Sequence, residues 1–124
     1  DAETVIETTV SQHDERFHLT YLDFAGGRFS VAREDFEIER RVRLRIHARD
    51  VSLALEKAHN TSILNIFPAR VVEVAEDSPA QMVVRLEAGG APLLARITRK
   101  SVARLEIAPG RQLYAQVKSV AVSK

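Results

Sequence analysis

Several residue types are scarce or absent in this chain of 124 residues. Cysteine is absent, which excludes disulfide frameworks, thiolate metal sites and cysteine nucleophiles. Tryptophan is also absent and aromatic residues make up only 6%, so the stacking platforms of single-strand nucleic-acid binders are missing. No apolar run approaches the roughly 20 residues that cross a bilayer. Because 18 basic residues balance 17 acidic ones, a strongly electrostatic partner surface is not indicated.

The residues that are present are typical of a globular chain. Hydrophobic residues make up 45% and charged residues 28%, a composition that supports a packed core. A chain of this length forms one ordinary domain or two very small ones. It begins at Asp1 and not at Met, so we expect it to be a piece of a longer protein.

Short segments rich in Val, Ile, Leu, Phe and Thr alternate with turn residues, the pattern of β-strands. The stretch 41–47 (RVRLRIH) is the clearest, because its apolar residues alternate strictly with basic ones and therefore line one face. Only 99–106 has helical spacing, with Thr98 as its N-cap and Pro109-Gly110 as its stop. The predicted strands are 4–10, 17–24, 28–32, 42–48, 69–75, 81–86, 92–97 and 112–122.

The second half of the chain repeats the first. Residues 25–27 (AGG) recur at 88–90, a displacement of 63, and beyond the helix the displacement becomes 69. We therefore predict two related units, 1–57 and 58–124. Strands this short in units of about 60 residues favour an all-β fold of small Greek-key barrels of the oligonucleotide/oligosaccharide-binding (OB) type, with one short helix before the last strand of the second unit. Units so small are expected to pair with each other or with a second chain.

Neither catalysis nor a phosphate loop is supported by the sequence. The glycine pairs 26–27 and 89–90 lack the Gly-Lys-Ser/Thr ending of a phosphate loop and are typical of hairpin turns. No histidine stands in a recognisable set with carboxylates, so no acid–base or metal-binding set is predicted; the four histidines are His13, His18, His47 and His59. We predict that this segment is not an enzyme.

One group of polar residues has the chemistry of an anion site. Thr98 and Ser101 place two hydroxyls three residues apart at a helix start, where free backbone N–H groups favour negative charge. The last predicted strand adds Lys118 and Ser119, a cation beside a hydroxyl, and Ser62 belongs to a polar segment before the second unit. The same residues also fit a plain helix cap, a surface charge and a linker.

Two stretches of sequence resemble a known family. Over residues 61–123 the sequence resembles the molybdate/tungstate-binding Mop domain, also called the TOBE domain. The segments that match in order and spacing are TSILN at 61–65, ITRKS at 97–101, Pro109-Gly110 and QVKSV at 116–120. Upstream, VRLRIHARDVSL at 42–53 looks like the segment that follows the nucleotide-binding domain in the ATPase subunit of molybdate ABC importers.

The resemblance implies an OB-like domain that forms a homodimer and holds an oxyanion at or near the interface between units. The ligand that the resemblance implies is molybdate or tungstate, with no cofactor and no protein–metal bond, and the partners that it implies are permease subunits, contacted through the missing ATPase domain. The expected location is cytoplasmic, peripheral on the inner face of the cell membrane. Leu64 is a departure, because the family commonly has an arginine there. The positions that match the family's anion contacts are Ser62, Thr98, Ser101, Lys118 and Ser119.

Three functions remain open from the sequence. The first is a regulatory domain that senses intracellular molybdate for the transporter. The second is a structural dimerisation module whose anion pocket is vestigial, which Leu64 favours. The third is a molybdate storage or homeostasis protein. A nucleic-acid-binding barrel, which would retain oligonucleotides in a salt-sensitive manner, is the remaining alternative, and the missing aromatic platform argues against it. Calorimetry with molybdate discriminates the second from the others.

Overall fold

The computed structural model describes residues 2–123, which form an all-β fold with one short α-helix, as predicted. No helix among these residues is long and apolar enough to cross a membrane. The elements, in chain order, are β1 Glu3–Asp14, β2 Leu19–Phe24, β3 Gly27–Ala32, β4 Arg41–His47, a 3-10 turn Ala48–Asp50, β5 Val51–Ala54, β6 Asn65–Glu76, β7 Gln81–Ala88, β8 Ala91–Thr98, α1 Arg99–Arg104, β9 Gln112–Val117 and β10 Ala121–Ser123.

The strands form two five-stranded antiparallel sheets with the same plan. The first sheet has the order β10-β4-β1-β2-β3, and the second has the order β5-β9-β6-β7-β8. Each sheet holds four strands from one half of the chain and, at one edge, a short strand from the other half. β5 leaves the first half to pair with β9, and β10 leaves the second half to pair with β4. The two halves therefore exchange their last strands.

This exchange accounts for two errors in the predicted strands. β5 was not predicted at all, because its four residues bury only one side chain fully. The segment 112–122 was predicted as one strand, whereas the chain leaves the second sheet after Val117 and joins the first at Ala121. A local pattern of hydrophobic residues cannot indicate that a strand changes its partner sheet.

The pairing of the strands also corrects the internal alignment. Val10 pairs with Leu22 in the first sheet, and Val71 pairs with Leu86 in the second, so β2 and β7 correspond at a displacement of 64 and not 63. Leu22 and Leu86 are both fully buried. By the same comparison, β4 and β9 correspond at a displacement of 71 residues and not 69. A shift of one residue exchanges the faces of a strand, so the match of the glycine pairs was misleading.

One hydrophobic core joins the two sheets. Its buried residues come from both halves of the chain and form a single cluster. Phe67 of β6 lies with its ring centroid 4.7 Å from that of Phe29 and 5.0 Å from that of Phe24, both in the first sheet. Aromatic pairs in this range of distances add to the free energy gained from burial. The sheets are therefore packed as one unit.

The predicted hairpin turns are present, and the tips of the two hairpins contact each other. A Cβ atom on Gly26 would lie 2.5 Å from the carbonyl oxygen of Ala88, and one on Gly89 would collide with the carbonyl oxygen of Ala25. Gly89 also has a φ of 59°, which favours glycine. These glycines permit close packing of backbone on backbone.

The helix α1 lies between the third and fourth strands of the second half, as predicted. Thr98 caps it, with its side chain accepting a hydrogen bond from the backbone N–H of Ser101. The helix ends at Arg104, two residues earlier than predicted, because Leu105 is the C-cap and Glu106 has a φ of 53°.

Candidate functional site

A small pocket forms where β6 and β9 lie side by side. Asn65, the first residue of β6, pairs with Val117, the last residue of β9. This pairing brings the segment before β6 next to the segment after β9. The resulting pocket has a volume of about 210 Å³, smaller than a typical site for a drug-sized ligand. It is lined by Ser30, Ser62, Ile63, Leu64, Asn65, Val117 and Lys118.

Lys118 brings an uncompensated positive charge to this pocket. Its backbone N–H donates a hydrogen bond of 2.7 Å to the carbonyl oxygen of Asp50, which ties the residue to the 3-10 turn. Its side chain is exposed, and no carboxylate of residues 2–123 lies within ion-pair distance of it. An ammonium group without a protein counterion is available to an anion.

Ser62 lies in the same pocket as Lys118, although the two residues are far apart in sequence. Ser62 is exposed, and its hydroxyl forms no hydrogen bond with any residue in the described part of the chain. Nearby, the Thr61 hydroxyl accepts a hydrogen bond of 3.2 Å from the backbone N–H of Ile63, which shapes the turn before β6. The structure therefore brings together two of the five predicted site residues, Ser62 and Lys118.

Thr98 and Ser101 form a second, separate pair. The Thr98 hydroxyl accepts from the Ser101 N–H at 3.0 Å and donates to the Ser101 hydroxyl at 2.9 Å. Neither residue lines the pocket that contains Ser62 and Lys118. Ser119, the fifth predicted residue, is exposed in the connection between β9 and β10 and also lies outside the lining. Of the five predicted residues, two thus lie in the Ser62–Lys118 pocket, two form the Thr98–Ser101 pair, and Ser119 belongs to neither group.

Leu64 lines the Ser62–Lys118 pocket at the position where the resemblance implied an arginine. Its exposed fraction is 65%, the largest among the exposed large hydrophobic residues of the described chain. An apolar side chain this exposed adds no hydrogen-bond donor to the pocket and offers surface for contact with another molecule.

Sequence reasoning assigned no role to Ser30 and Asn65, which also line the pocket. The backbone N–H of Ser30 donates to the Asn65 side-chain oxygen at 2.7 Å, and the Asn65 side-chain nitrogen donates to the Ser30 carbonyl at 3.1 Å. Asn65 is 9% exposed and begins β6, whereas Ser30 lies on β3 of the other sheet. No local sequence signal brings β3 to this place, because the contact depends on how the two sheets are packed.

The ionisable residues other than Lys118 do not line the Ser62–Lys118 pocket. His13 is hydrogen-bonded to the Phe36 carbonyl oxygen at 2.7 Å and to the Thr20 hydroxyl at 2.9 Å, so it anchors the loop after β3. A hydrogen bond of 2.6 Å from the Tyr21 hydroxyl lowers the pKa of the Asp14 carboxyl. Residues 2–123 contain no group of three or more His, Cys, Asp or Glu side chains suited to a metal ion.

A wider groove of about 630 Å³ lies on the first sheet and is lined in part by Arg40, Arg41 and Arg43. Arg43 is paired with Glu7 at 2.8 Å, and Arg40 stacks over the ring of Phe36 at 4.5 Å. Two of the three guanidinium groups are therefore already engaged within the protein. None of the five predicted site residues lines this groove.

Comparison with known proteins places this geometry in a family. The family model for the TOBE domain matches residues 61–123. The chain is 54% identical over 123 residues to the Molybdenum import ATP-binding protein ModC 1 of Azotobacter vinelandii, and 52% identical over 122 residues to ModC of Aromatoleum aromaticum. ModC of Pseudomonas aeruginosa is 48% identical over 125 residues. Each match covers 98% of this chain but 34%, 32% and 35% of these relatives, so the chain spans about a third of their length.

A solved structure has the same fold. The crystal structure of the cytoplasmic molybdate-binding protein ModG, in a form with molybdate bound, superposes with a TM-score of 0.79 at 23% identity. The superposition covers 97% of this chain and 94% of that one, and it confirms the OB-like architecture. The family match spans the same residues, 61–123, over which the sequence resembles the Mop domain. The chain therefore belongs to the TOBE domain family.

Proposed function

We propose that this domain binds molybdate or tungstate as an intact dianion, within the ATP-binding subunit of a molybdate importer. The observation that carries the proposal is the pocket lined by Lys118 and Ser62, whose ammonium and hydroxyl groups have no ion-pair or hydrogen-bond partner among residues 2–123. The names of the relatives and of the structural neighbour, which concern molybdenum import and molybdate binding, support the choice of ligand.

The chemistry of the pocket suits a fully ionised tetrahedral oxyanion. Such a ligand accepts hydrogen bonds and offers none, so hydroxyl groups, N–H groups and one ammonium satisfy it. A protonated phosphate would have to place its own proton against a donor, which is unfavourable. Sulfate has the same charge and the same acceptors as molybdate, so discrimination against it must come from the size of the cavity.

A second copy of the chain completes the site in this proposal. Thr98 and Ser101 match the family's anion contacts but do not line the Ser62–Lys118 pocket within one chain. The exposed side chain of Leu64 at the rim provides apolar surface that contact with a partner would bury. We propose a homodimer in which the pocket of one copy faces the Thr98–Ser101 pair of the other.

The proposal extends to the longer protein. Residues 1–57 and 58–124 are the two related units, which is supported by the identical order of strands in the two sheets. ATP hydrolysis belongs to the part of the relatives that this chain does not span, and this segment carries no turnover of its own. Through that part the domain is held at the cytoplasmic face of the membrane with the permease subunits. Oxyanion binding then regulates transport by favouring one arrangement of the dimer.

Isothermal titration calorimetry tests the proposal. Sodium molybdate and sodium tungstate should release or absorb heat on binding to the purified domain, whereas equal concentrations of sulfate and phosphate should bind at least tenfold more weakly. Light scattering on the same samples reports the mass. Molybdate binding no tighter than sulfate binding would contradict the function.

The rival function is a structural dimerisation module, and a specific observation favours it. Leu64 occupies the position at which the family commonly has a cation, and it is exposed at the rim of the pocket. A dimeric mass without any molybdate heat would select this rival. A monomeric mass at high micromolar concentration would exclude it.

A further inference from the structure

The first sheet contributes one residue, Ser30, to the lining of the Ser62–Lys118 pocket. Ser30 lies on β3, is half-buried, and lines the pocket although the other lining residues belong to the second half of the chain. Its backbone is hydrogen-bonded to Asn65, but its hydroxyl has no hydrogen-bond partner among residues 2–123. Ser30 is therefore a pocket-lining residue whose hydroxyl is not engaged by any described residue.

Asn65 fixes the position of Ser30. β3 is the outer strand of its sheet, so the backbone N–H and carbonyl of Ser30 have no neighbouring strand on that side. The Asn65 amide takes the place of a strand, with hydrogen bonds of 2.7 and 3.1 Å to these two groups. Because Asn65 is itself buried, the amide is held and Ser30 is held with it. A donor that is already fixed loses little conformational entropy when a ligand binds.

The corresponding position in the second sheet has no such arrangement. At a displacement of 64, Ser30 corresponds to Leu94, since Ser30 pairs with Tyr21 and Leu94 pairs with Arg85. β1 and β6 correspond at a displacement of 61, as Val10 and Val71 show, so Asn65 corresponds to Thr4. The buried Thr4 hydroxyl has no hydrogen-bond partner among the described residues. The bridge between an amide and a strand edge therefore occurs at one of the two related positions, the one beside Lys118.

We propose that Ser30 is an additional donor to the bound oxyanion and that Asn65 is the positioning residue that holds it there. This inference rests on the proposed function and adds a residue that the family match over 61–123 does not contain. The oxyanion then contacts both halves of the chain at once, through Ser30 on β3 of the first sheet and through Ser62 and Lys118 in the segments next to β6 and β9 of the second. Occupancy of the pocket stabilises the junction between the two halves of the chain.

Calorimetry with sodium molybdate on single variants tests the role of Ser30. Ser30→Ala should weaken binding about tenfold, the size expected for loss of one hydrogen bond to a charged group. Ser30→Thr keeps a hydroxyl on the strand and should stay within about threefold of the wild type. Ser123→Ala, an exposed serine on β10 outside the pocket, is the matched control and should not change the affinity.

A double-variant cycle tests the role of Asn65. Asn65→Ala should weaken molybdate binding in the wild-type background but change it little when Ser30→Ala is already present, because Asn65 acts through Ser30. A residue that merely stabilises the fold would weaken binding equally in both backgrounds. Should Asn65→Ala fail to fold, the Ser30 variants alone decide the question.

The outcomes separate the inference from the function on which it rests. If the wild type binds molybdate and Ser30→Ala binds it equally well, the role of Ser30 is wrong while the proposed function stands. If the wild type binds molybdate no better than sulfate, the function fails and the inference fails with it. Equal melting temperatures of Ser30→Ala and the wild type show that a loss of affinity is not a loss of fold.

Discussion

The two sheets share one strand order but differ where each half of the chain meets the other. Beside Lys118, the Asn65 amide bridges to Ser30 on the neighbouring sheet. At the related position, the buried Thr4 hydroxyl has no hydrogen-bond partner in the described part of the chain, and Leu94 stands in place of Ser30. The second half also carries α1 between its third and fourth strands, whereas the first half has the loop that follows β3. The two halves thus have the same strand order, and they differ in the segments that connect the strands.

The largest expected effect tests whether the two sheets are one folding unit. Leu22→Ala and Leu86→Ala alter related, fully buried positions of a single core, so each should lower the free energy of unfolding by about 2–5 kcal/mol. Because the sheets exchange strands, urea unfolding followed by circular dichroism should remain a single transition in both variants. Ile38→Ala, at an exposed position in the loop between β3 and β4, is the control and should change stability by less than about 0.5 kcal/mol. Two transitions, one per sheet, would contradict this.

The next largest effect is expected for Lys118, whose positive charge lies at the Ser62–Lys118 pocket of the second half. Lys118→Ala should weaken molybdate binding about tenfold to a hundredfold, the loss expected for a charge-assisted hydrogen bond of roughly 1.5–3 kcal/mol. Stability should change little, because the side chain is exposed. Arg41→Ala removes the same charge from an exposed position on β4 and should leave binding unchanged in the same titration. Equal affinity of Lys118→Ala and the wild type would remove Lys118 from the site.

A substitution at Leu64 is expected to increase the affinity for molybdate. Leu64→Arg places a guanidinium at the rim of the pocket, where Leu64 offers no donor. We expect molybdate to bind about tenfold more tightly, because one charge-assisted contact is added. Leu64→Met keeps an apolar side chain and serves as the control. Weaker binding in Leu64→Arg would show that this position serves contact between chains and not the ligand.

The smallest effect lies at the β1–β2 hairpin of the first half. The hydrogen bond from the Tyr21 hydroxyl is the main cause of the lowered pKa of Asp14. Tyr21→Phe should therefore raise the pKa of Asp14 towards its ordinary value of about 3.9, as followed by NMR titration of its carboxyl carbon. Tyr114→Phe, in the second sheet, should leave that pKa unchanged.

The sign of the pH dependence follows from the direction of this shift. A carboxyl whose pKa is lower in the folded state stabilises the fold above its unfolded pKa and loses that contribution as the pH falls through the folded value. The wild type should therefore lose this contribution only below about pH 4. In Tyr21→Phe that acid-dependent loss should be smaller.

Much of the fold could be predicted from the sequence because its strands are amphipathic. In β4 the buried residues Val42, Leu44 and Ile46 alternate with exposed arginines, and the pattern is visible in the letters alone. The helix start was equally clear, because Thr98 caps it through a hydrogen bond to a residue three positions away. The resemblance to the TOBE domain over 61–123 is confirmed by the family match.

Features that depend on the meeting of distant segments could not be predicted. The exchange of β5 and β10 is set by the packing of two sheets, and no pattern within four or three residues specifies it. The contact of Ser30 with Asn65 joins residues 35 positions apart, so neither local sequence indicates it. The grouping of the site residues into a pocket and a separate pair likewise follows from strand register, which spacing along the chain does not give.

The exchanged strands have a consequence for proteins that possess only one such unit. A chain limited to residues 61–123 would keep β6 to β9 but would lack β5, leaving the edge of β9 without its hydrogen-bonding neighbour. An unpaired edge of this kind is a template for pairing with another chain. Its own β10 would equally have no β4 to join. A chain of residues 61–123 could complete both sheet edges only by exchanging these strands with another polypeptide. For such a chain, association would be a condition of completing the fold and not a later event between finished subunits.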